Sequence, residues 1–434
     1  MSAKISRRHF LQLSATGLGA AAIAPLAGPW TARAGERLDA RIVVVGGGSG
    51  GATAAKYLKH YAPGLRVTLV EPQERYYTCY AGNWYLGGFR ELESLGHGYG
   101  NLRDRHGVEI IHDRATAIDP TGKAVETREN GSLTYDRLIV APGIEFAWDR
   151  VEGMGPEDTE TIPHAWEGGR PFEILRHQLK DLEDGGTVIV CPPDEPYRCP
   201  PGPYERMALI AYYLQQEKPR SKVLGLDPKD TFSKQSLFQQ GWEALYGDMI
   251  EWIPGSEGGA PERISVTDRK IFTDGGTQAH PGDVINFIPP QRAGAIAQQA
   301  DLTDDSGWCP VNQKTFESDR YSDVYVIGDA AMAGAMPKSG HAANNQGKLV
   351  AATIASDLRG ESLPDFPTVN TCYSLVAPDW GITVAGVYEH QEGDIVGVDG
   401  AGGLSPLDAD RDQRELEAMY APGWYESITD DIFG

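Results

Sequence analysis

The 434-residue chain is poor in cysteine and in basic residues, and after residue 34 it has no apolar run long enough to cross a membrane. Its five cysteines are not grouped with histidines at zinc-like spacing, so no metal site is expected. No C-x-x-C-H motif is present, so any haem would belong to a partner chain. The 39 lysines and arginines face 61 acids. This acidity disfavours nucleic acid and anionic membranes as partners.

The first 34 residues differ from the remainder. Ser6-Arg-Arg-His-Phe-Leu11 is a twin-arginine motif, an Ala/Gly/Leu run follows, and Ala32-Arg-Ala34 fits a small-x-small cleavage site. The pattern predicts a signal peptide over residues 1–34, removed after twin-arginine export to the periplasm. A retained anchor is the alternative, which Pro25 and the many glycines disfavour. Loss of four positive charges with the peptide takes the net charge from −22 to −26.

A βαβ unit with a glycine-rich turn follows. A β-branched run over 41–45 predicts a buried parallel strand, residues 52–61 predict a helix, and residues 66–70 predict the next strand. Between strand and helix, Gly46, Gly48 and Gly51 form the G-x-G-x-x-G pattern, and Glu71 closes the second strand. The glycines allow a tight turn, close approach of a pyrophosphate and close helix packing, while Glu71 can accept from a ribose hydroxyl. The unit predicts a dinucleotide site.

Two later segments favour FAD over NAD. Arg137-Leu-Ile-Val-Ala-Pro-Gly143 is a strand that ends in a small-residue turn. Val324-Tyr-Val-Ile-Gly-Asp-Ala330 resembles the second FAD signature of reductases with two dinucleotide folds, so Gly328 and Asp329 are predicted to contact the flavin's ribityl chain. The alternative for Asp329 is a simple helix N-cap.

The predicted fold class is α/β, with two Rossmann-like dinucleotide folds and a C-terminal α+β domain. The FAD domain comprises residues 35–150 and 291–363, a degenerate NAD-like domain spans 151–290, and the C-terminal domain spans 364–434. In the second domain, a strand over 187–191 runs into Cys191-Pro-Pro-Asp-Glu-Pro-Tyr-Arg-Cys199-Pro-Pro-Gly-Pro203 and not into a glycine turn. Because prolines lack the backbone donors that a pyrophosphate needs, we expect no NAD to bind.

Several segments identify a family. The chain resembles the flavoprotein subunit of flavocytochrome c sulfide dehydrogenase nearly end to end. The segments that carry the resemblance include Tyr76-Tyr-Thr-Cys-Tyr80, Arg198-Cys-Pro-Pro-Gly-Pro-Tyr-Glu-Arg206, Gly307-Trp-Cys-Pro-Val311, Met336-Pro-Lys-Ser-Gly340 and Asn370-Thr-Cys-Tyr373. The resemblance implies hydrosulfide as the substrate and a c-type cytochrome subunit as the partner that takes the electrons.

The resemblance also assigns roles to cysteines. It implies that Cys79 joins the flavin 8α-methyl through a thioether, where the alternative is a buried free cysteine. The negative charge that this chemistry builds on the flavin can be stabilised by a helix that begins near Lys338. It further implies that Cys199 and Cys372 form a redox-active disulfide against the flavin. A purely structural bridge and a Cys191–Cys199 pairing are the alternatives.

In the redox interpretation, hydrosulfide attacks one sulfur of the bridge and the other leaves as a thiolate that reduces the flavin. Glu205, in the first turn of a helix predicted around residues 204–216, can act as acid or base near the sulfur. Its alternative is an ordinary first-turn acid that complements the helix dipole. Cys309 has no assigned role, and Cys191 is expected to be a buried apolar residue.

Two other functions compete with this one. A sulfide:quinone oxidoreductase would need a membrane-facing C-terminus, but residues 405–434 hold eight acids against two arginines. A non-catalytic accessory flavoprotein of a sulfur-oxidising complex would not need the three retained cysteines.

Overall fold

The computed structural model describes residues 38–362 and 365–434, so the predicted signal peptide lies outside the described residues. Within these ranges the helices are α1 (Ser49–Tyr61), α2 (Gly82–Gly87), α3 (Gly100–Asp104), α4 (Arg170–Asp181), α5 (Gly202–Glu217), α6 (Gln235–Tyr246), α7 (Ala295–Gln299), α8 (Gly340–Asp357) and α9 (Arg411–Phe433). Short 3-10 turns lie at Leu92–Leu95, Trp148–Arg150, Pro156–Asp158, Gly247–Met249, Gly255–Glu257 and Gly328–Ala330.

The strands are β1 (Arg41–Val45), β2 (Arg66–Val70), β3 (Arg75–Tyr77), β4 (Gly96–Gly98), β5 (Glu109–Ile111), β6 (Ala115–Asp119), β7 (Ala124–Thr127), β8 (Ser132–Thr134), β9 (Arg137–Val140), β10 (Ile144–Phe146), β11 (Thr187–Cys191), β12 (Lys222–Leu226), β13 (Ile250–Ile253), β14 (Arg263–Ser265), β15 (Lys270–Thr273), β16 (Gln278–Pro281), β17 (Val284–Phe287), β18 (Gln291–Ala293), β19 (Val324–Val326), β20 (Thr368–Ala377), β21 (Trp380–Gln391), β22 (Asp394–Gly397) and β23 (Gly403–Leu404).

Two parallel sheets form the body of the fold. The first has the strand order β19-β9-β1-β2-β5, and the second has the order β13-β12-β11-β17. Strand β1 is buried at its last four positions, as expected for a parallel strand covered on both faces. The first sheet draws β19 from a segment far along the chain, after all strands of the second sheet. The predicted α/β class with two dinucleotide folds is therefore confirmed.

Helices α1 and α8 pack closely beside the first sheet. A Cβ atom at Gly347 of α8 would lie 2.6 Å from the Gly50 carbonyl oxygen of α1, so only glycine allows this approach. The packing aligns the start of α1 with the 3-10 turn Gly328–Ala330, since Gly50 also lies against Ile327. It thereby gathers the glycine-rich turn and the second FAD segment at one edge of the sheet.

The C-terminal region forms an antiparallel sheet, β20-β21-β22 with β23 beside β21, and the long helix α9. Val376 of β20 and Tyr425 of α9 belong to the same buried cluster as Leu209 of α5 and Phe238 of α6. Strand β20 therefore lies against the second sheet's helices and carries Cys372 toward Cys199. None of the helices in the described residues is long and apolar enough to cross a bilayer.

Candidate active site

The glycine-rich turn has the geometry of a phosphate cradle. Gly46 has φ +99°, and a Cβ atom there would lie 2.2 Å from the Ala141 carbonyl oxygen. A Cβ atom at Gly51 would lie 1.9 Å from the Gly46 carbonyl oxygen. Helix α1 begins at Ser49, three residues earlier than predicted, and no side chain caps its first N–H groups. These free donors and the backbone-only turn suit a pyrophosphate.

Two acids flank this cradle. Glu71 follows β2 and accepts from the backbone N–H of Gly47 at 2.8 Å and of Gln73 at 2.9 Å. Asp329 lies in the 3-10 turn after β19, which ends at Val326, and Ile327 takes the cap position of that turn. Its Oδ1 is buried with no hydrogen-bond partner among the described residues, and burial raises the pKa of its carboxyl. An orphaned acceptor beside a phosphate cradle fits a sugar-alcohol chain, so the residues present suit FAD.

The cysteine predicted to hold the flavin follows β3. Cys79 lies between that strand and α2, where its carbonyl oxygen accepts from the Gly82 N–H at 3.1 Å. The preceding Thr78 is fixed from two sides, by the Leu95 carbonyl at 2.9 Å and by the Tyr425 hydroxyl of α9 at 3.0 Å. Burial raises the pKa of the Cys79 thiol, and the Arg198 charge opposes that rise.

Cys199 stands at a strained turn in the proline-rich loop after β11. It has φ +60°, a value that side chains rarely adopt. Its N–H donates to the Lys338 carbonyl oxygen at 2.8 Å, and its own carbonyl accepts from Gly202, the first residue of α5. The loop of the second dinucleotide fold is thus tied to the residues just before α8, in the first.

Cys372 lies in the middle of β20, opposite Val384 of β21. Cys79, Cys199 and Cys372 line a single pocket. Its other lining residues are Tyr80, Ala81, Asn83, Trp84, Ala165, Trp166, Phe172, Pro201, Gly202, Glu205, Arg206, Tyr373, Ser374 and Trp424. All five cysteines lie in the described part of the chain, and each carries a free thiol. The structure therefore presents a dithiol pair, and the Cys199–Cys372 bridge stays a prediction.

Glu205 lines this pocket and is buried. Its carboxylate accepts from the Asn83 side-chain amide at 2.8 Å, the Leu375 N–H at 2.8 Å and the Trp84 indole at 3.4 Å. Burial raises the pKa of the Glu205 carboxyl. Helix α5 begins two residues before its predicted start, and Glu205 still falls in its first turn. A buried acid with a raised pKa can exchange protons with the thiols that line the same pocket.

Four cations lie near the segments that carry the cysteines; Arg206 and Lys234 are buried, and Arg198 and Lys338 are partly buried. Of these, the sequence predicts a role only for Lys338. Its Nζ donates to the Asp329 carbonyl at 2.7 Å and to the Ala331 carbonyl at 3.0 Å, and it lies 3.8 Å from the centroid of the Trp308 ring. Burial lowers the pKa of Lys338 to about 8. Helix α8 begins two residues later, at Gly340, with Ser339 as its N-cap.

The sequence motifs predict no role for the other three cations, Arg198, Arg206 and Lys234. Arg206 is 1% exposed and donates to Asn83, His164, Ala165 and Asn286. Burial lowers the pKa of the Arg206 guanidinium to about 9. Arg198 and Arg206 lie in the segment that contains Cys199, but Lys234 lies far from any cysteine in the sequence, and nothing in a single sequence distinguishes a buried cation from a solvated one.

The second βαβ unit uses its acid for internal contacts. Asp227 follows β12 as Glu71 follows β2, yet it is fully buried. It accepts from the Tyr204 hydroxyl at 2.6 Å, the Trp252 indole at 3.0 Å and the Lys229 ammonium at 2.7 Å. The Tyr204 ring stacks on Phe232 with centroids 3.5 Å apart. Cys191, at the end of β11, is buried as expected.

Comparison with known families supports the class of protein. Residues 40–168 match the pyridine nucleotide-disulphide oxidoreductase family. Residues 172–289 match the central part of the sulfide dehydrogenase (flavocytochrome c) flavoprotein chain, and residues 364–433 match the flavin-binding part of flavocytochrome c sulphide dehydrogenase.

Individual proteins that are similar to this chain carry the names of sulfide-oxidising enzymes. The sulfide dehydrogenase (flavocytochrome c) flavoprotein chain of Chlorobaculum thiosulfatiphilum is 59% identical over 39 residues, which are 9% of this chain and 81% of that sequence. The mitochondrial sulfide:quinone oxidoreductase of Mus musculus is 23% identical over 311 residues, which are 66% of this chain and only 65% of the mouse protein. The solved sulfide:quinone oxidoreductase of Aquifex aeolicus superposes with a TM-score of 0.71 at 18% identity, over 91% of this chain and 92% of that one.

The fold and the match over residues 40–168 define a flavin-dependent oxidoreductase of the pyridine nucleotide-disulfide type. Within that class, the chain belongs to the flavoprotein chains of flavocytochrome c sulfide dehydrogenase, a family of sulfide-oxidising flavoproteins. The family expected from the sequence motifs is confirmed. The roles of individual residues stay predictions, which the geometry makes specific.

Proposed function

We propose that this chain is the periplasmic flavoprotein subunit of a sulfide dehydrogenase, which oxidises hydrosulfide through a Cys199–Cys372 disulfide and passes the electrons to a c-type cytochrome. The observation that carries the proposal is the convergence of Cys79, Cys199, Cys372 and Glu205 on one pocket. Cys199 and Cys372 lie 173 residues apart in the sequence and on different elements, so only the fold brings them together.

The reaction begins when hydrosulfide forms a bond to one sulfur of the disulfide. The S–S bond breaks, and its electron pair remains on the other sulfur as a thiolate. Glu205 exchanges the proton of the attached sulfur, since it is buried in the wall of the same pocket. Bound FAD supplies the two-electron acceptor, for which Gly46, Gly48, Gly51, Glu71, Gly328 and Asp329 form the binding residues.

The test is an anaerobic sulfide titration of the flavin spectrum. Cys199→Ser and Cys372→Ser should each retain flavin and abolish its reduction by sulfide. Cys191→Ala is the matched control, because Cys191 is buried outside the pocket. Normal flavin reduction in the Cys191→Ala variant would also argue against a Cys191–Cys199 bridge. Normal turnover in both serine variants would contradict the proposal, and an unreduced wild-type flavin would favour a non-catalytic accessory protein.

We further propose that Cys79 holds the flavin covalently. The cysteine lies in the same pocket as the disulfide pair, and Arg198 is the cation that favours its thiolate. Flavin should remain with the wild-type protein after denaturation, and Cys79→Ser should release it. Release from the wild type under the same conditions would refute the thioether.

The acceptor distinguishes two candidates. Relatives at 23–24% identity are sulfide:quinone oxidoreductases, so a quinone is the second candidate. A cytochrome is favoured by the family match and by the outer side of α9, where Leu416, Met419 and Tyr420 are exposed among acids. Such a surface suits a protein partner better than an anionic membrane. Parallel assays with cytochrome c and with a soluble quinone separate the candidates.

A nicotinamide is not proposed as the electron donor. The proline-filled second turn, the internal use of Asp227 and the stacking of Tyr204 on Phe232 leave no evident place for a second dinucleotide. NADH should therefore leave the flavin oxidised under anaerobic conditions, and bleaching by NADH would contradict this part of the proposal.

A further inference from the structure

A buried side-chain amide joins a cation to the acid of the pocket. Asn83 of α2 is buried and lines the pocket together with Glu205 and Arg206. Its side-chain oxygen accepts from Arg206 Nε at 3.0 Å. Its side-chain nitrogen donates to Glu205 Oε2 at 2.8 Å and to the Gly202 carbonyl at 3.0 Å. The amide therefore lies between the guanidinium and the carboxylate and is hydrogen-bonded to both.

The Arg206 guanidinium fixes which way this amide points. An arginine side chain has five donors and no acceptor, so only the oxygen of the Asn83 amide can face it. A reversed amide would set its NH2 group against Arg206 Nε. It would also set its oxygen against two other acceptors, the Gly202 carbonyl and the Glu205 carboxylate. The NH2 group of Asn83 is thereby committed to Glu205.

Arg206 also has charge to spare for this acid. All the hydrogen bonds that it donates within the described residues reach neutral oxygen atoms, namely the side-chain oxygens of Asn83 and Asn286 and the carbonyls of His164 and Ala165. A buried cation whose contacts are neutral stabilises an anion placed nearby. Glu205 is the acid to which Asn83 links it.

The partners of the Glu205 carboxyl are all donors. Oε1 accepts from the Leu375 N–H at 2.8 Å and from the Trp84 indole at 3.4 Å, and Oε2 accepts from Asn83. A backbone N–H and an indole N–H cannot accept a hydrogen bond, and the Asn83 nitrogen cannot accept one either. An ionised carboxylate satisfies all three partners, whereas a neutral carboxyl would bring a proton that none of them accepts.

The charged groups that face Glu205 act in the same direction. They are Arg206 on its own helix, Lys234 before α6, Cys199 in the loop before α5 and Cys372 on β20. Burial raises the pKa of the Glu205 carboxyl, and its three donors and the Lys234 charge oppose that rise. When the two cysteines are joined they carry no charge, so only the two cations act on the acid, and both favour its ionised form.

We propose that Asn83 is a positioning residue that keeps Glu205 ionised in the oxidised enzyme, so that Glu205 accepts the proton of the substrate sulfur. This inference rests on the proposed disulfide chemistry. After hydrosulfide has bonded to a cysteine sulfur, the S–H bond of the new persulfide breaks and an O–H bond forms on Glu205. The electron pair of the S–H bond stays on the sulfur, so the step needs no oxidant or reductant.

The first test measures the protonation of Glu205 directly. Infrared spectra of the oxidised holoenzyme are taken over a pH series, and the carboxyl C=O band that disappears in Glu205→Gln is assigned to Glu205. In the wild type this band should be absent at pH 7 and should grow as the pH falls. Asn83→Ala removes one donor to the carboxylate and should raise the midpoint by about one pH unit, a roughly tenfold change in the ionisation equilibrium.

An isosteric variant should have a larger effect. Asn83→Asp pairs with Arg206 but sets a second carboxylate against Glu205, and two carboxylates in contact cannot both stay ionised. The midpoint should rise by about two pH units, and the band should be present at pH 7. If Asn83→Asp fails to fold, Asn83→Ala still decides the outcome, because it adds no buried charge.

Asn286→Ala is the matched control. Asn286 is also buried and its side-chain oxygen also accepts from Arg206, at 2.9 Å, but its nitrogen donates to the Pro163 and His164 carbonyls. Its loss should leave the Glu205 midpoint close to that of the wild type. A Glu205 band in the wild type at pH 7, or equal midpoints in Asn83→Ala and Asn286→Ala, would overturn the inference.

The second test connects this ionisation to turnover. The rate of anaerobic flavin reduction by sulfide is measured against pH, and its acidic limb in Asn83→Ala should move upward by the same amount as the infrared midpoint. The ionisation of hydrogen sulfide is common to both proteins and does not enter the difference. A limb that stays in place while the midpoint moves would overturn the inference but keep the proposed function. A wild-type flavin that sulfide does not reduce at any pH would instead refute the proposed function itself.

Discussion

The two βαβ units share a topology and differ in what fills the turn between strand and helix. In the first, Gly46–Gly51 leaves backbone N–H groups free at the start of α1, and the Glu71 carboxylate accepts from the backbone N–H groups of Gly47 and Gln73. In the second, prolines fill the turn before α5, and Asp227 is buried among side chains. The first unit is open toward a ligand, while the second is filled by the protein itself.

This difference shows how a dinucleotide fold can take on a second task. The loop that would hold a pyrophosphate now carries Cys199 at a positive φ, tied to the Lys338 carbonyl at the start of α8. The loop of one fold thereby delivers a thiol to the cofactor side of the other. The surrounding cations contrast with the acidic whole chain, whose net charge is −22. The Arg206 guanidinium in the lining of the pocket favours thiolates and the hydrosulfide anion.

The largest expected effect is at the glycine turn. Gly51→Ala places a Cβ atom 1.9 Å from the Gly46 carbonyl oxygen, so backbone must move. We expect at least a tenfold loss of bound flavin, because about 1.4 kcal/mol of distortion already suffices for that. Flavin absorbance per protein is the measurement.

Gly202→Ala is the counterpart in the second unit. Its Cβ atom would meet the Trp166 ring at 2.7 Å and the Cys199 sulfur at 3.0 Å, which are side chains and not backbone of the glycine-rich turn, so flavin should be retained. Gly100→Ala is the control, since nothing lies within 4 Å of a Cβ atom there. Equal flavin content in Gly51→Ala and Gly202→Ala would remove the distinction between the two turns.

The parts of the fold that follow local rules were predictable. The first βαβ unit follows from β-branched runs, a glycine motif and a strand-end acid, each a short-range pattern. The missing cofactor turn in the second unit was also visible, because proline and glycine act locally. The convergence of Cys199 with Cys372 followed only from the family resemblance, since no local rule joins β20 to the loop after β11.

Residues whose role depends on burial were not predictable. Lys234, Arg206 and Asp227 look like ordinary surface charges in the sequence, yet they are 4%, 1% and 0% exposed. Their partners lie on distant segments, for example Lys234 on β20 and β21. Glu205 was placed in a first helical turn, but the three donors that hold it come from residues 83, 84 and 375.

The next largest expected effect is a difference in the free energy of unfolding between variants of Asp227 and of Glu71. Asp227→Ala should lower the free energy of unfolding by about 3–5 kcal/mol, because it leaves the Lys229 ammonium, 9% exposed, without its buried partner. Glu71→Ala should cost about 1 kcal/mol and weaken flavin binding, since it removes hydrogen bonds to backbone at a partly exposed site. Denaturant unfolding and flavin retention measure both. Greater destabilisation by Glu71→Ala would contradict the comparison.

The smallest expected effect is a pH dependence of stability at His164, whose carbonyl accepts from Arg206 of the second unit. His164 is 5% exposed, its Nδ1 accepts from the Trp166 N–H at 3.0 Å, and burial lowers its pKa to about 3. The unfolded chain, with a histidine pKa of about 6.5, binds a proton that the folded chain refuses, so stability falls as pH drops from 6.5 toward 3. The loss attributable to His164 should reach about 2 kcal/mol at pH 5.

His164→Asn offers an acceptor to Trp166 without the titration, so its stability should fall less steeply between pH 7 and pH 5 than that of the wild type. Its lower stability at pH 7, from the smaller side chain, does not enter this slope. His177→Asn changes an exposed histidine of α4 and should preserve the wild-type slope. If His164→Asn kept the wild-type slope, the acid sensitivity would come from other groups, and the segment before Ala165 and Trp166 of the pocket lining would tolerate a proton at His164.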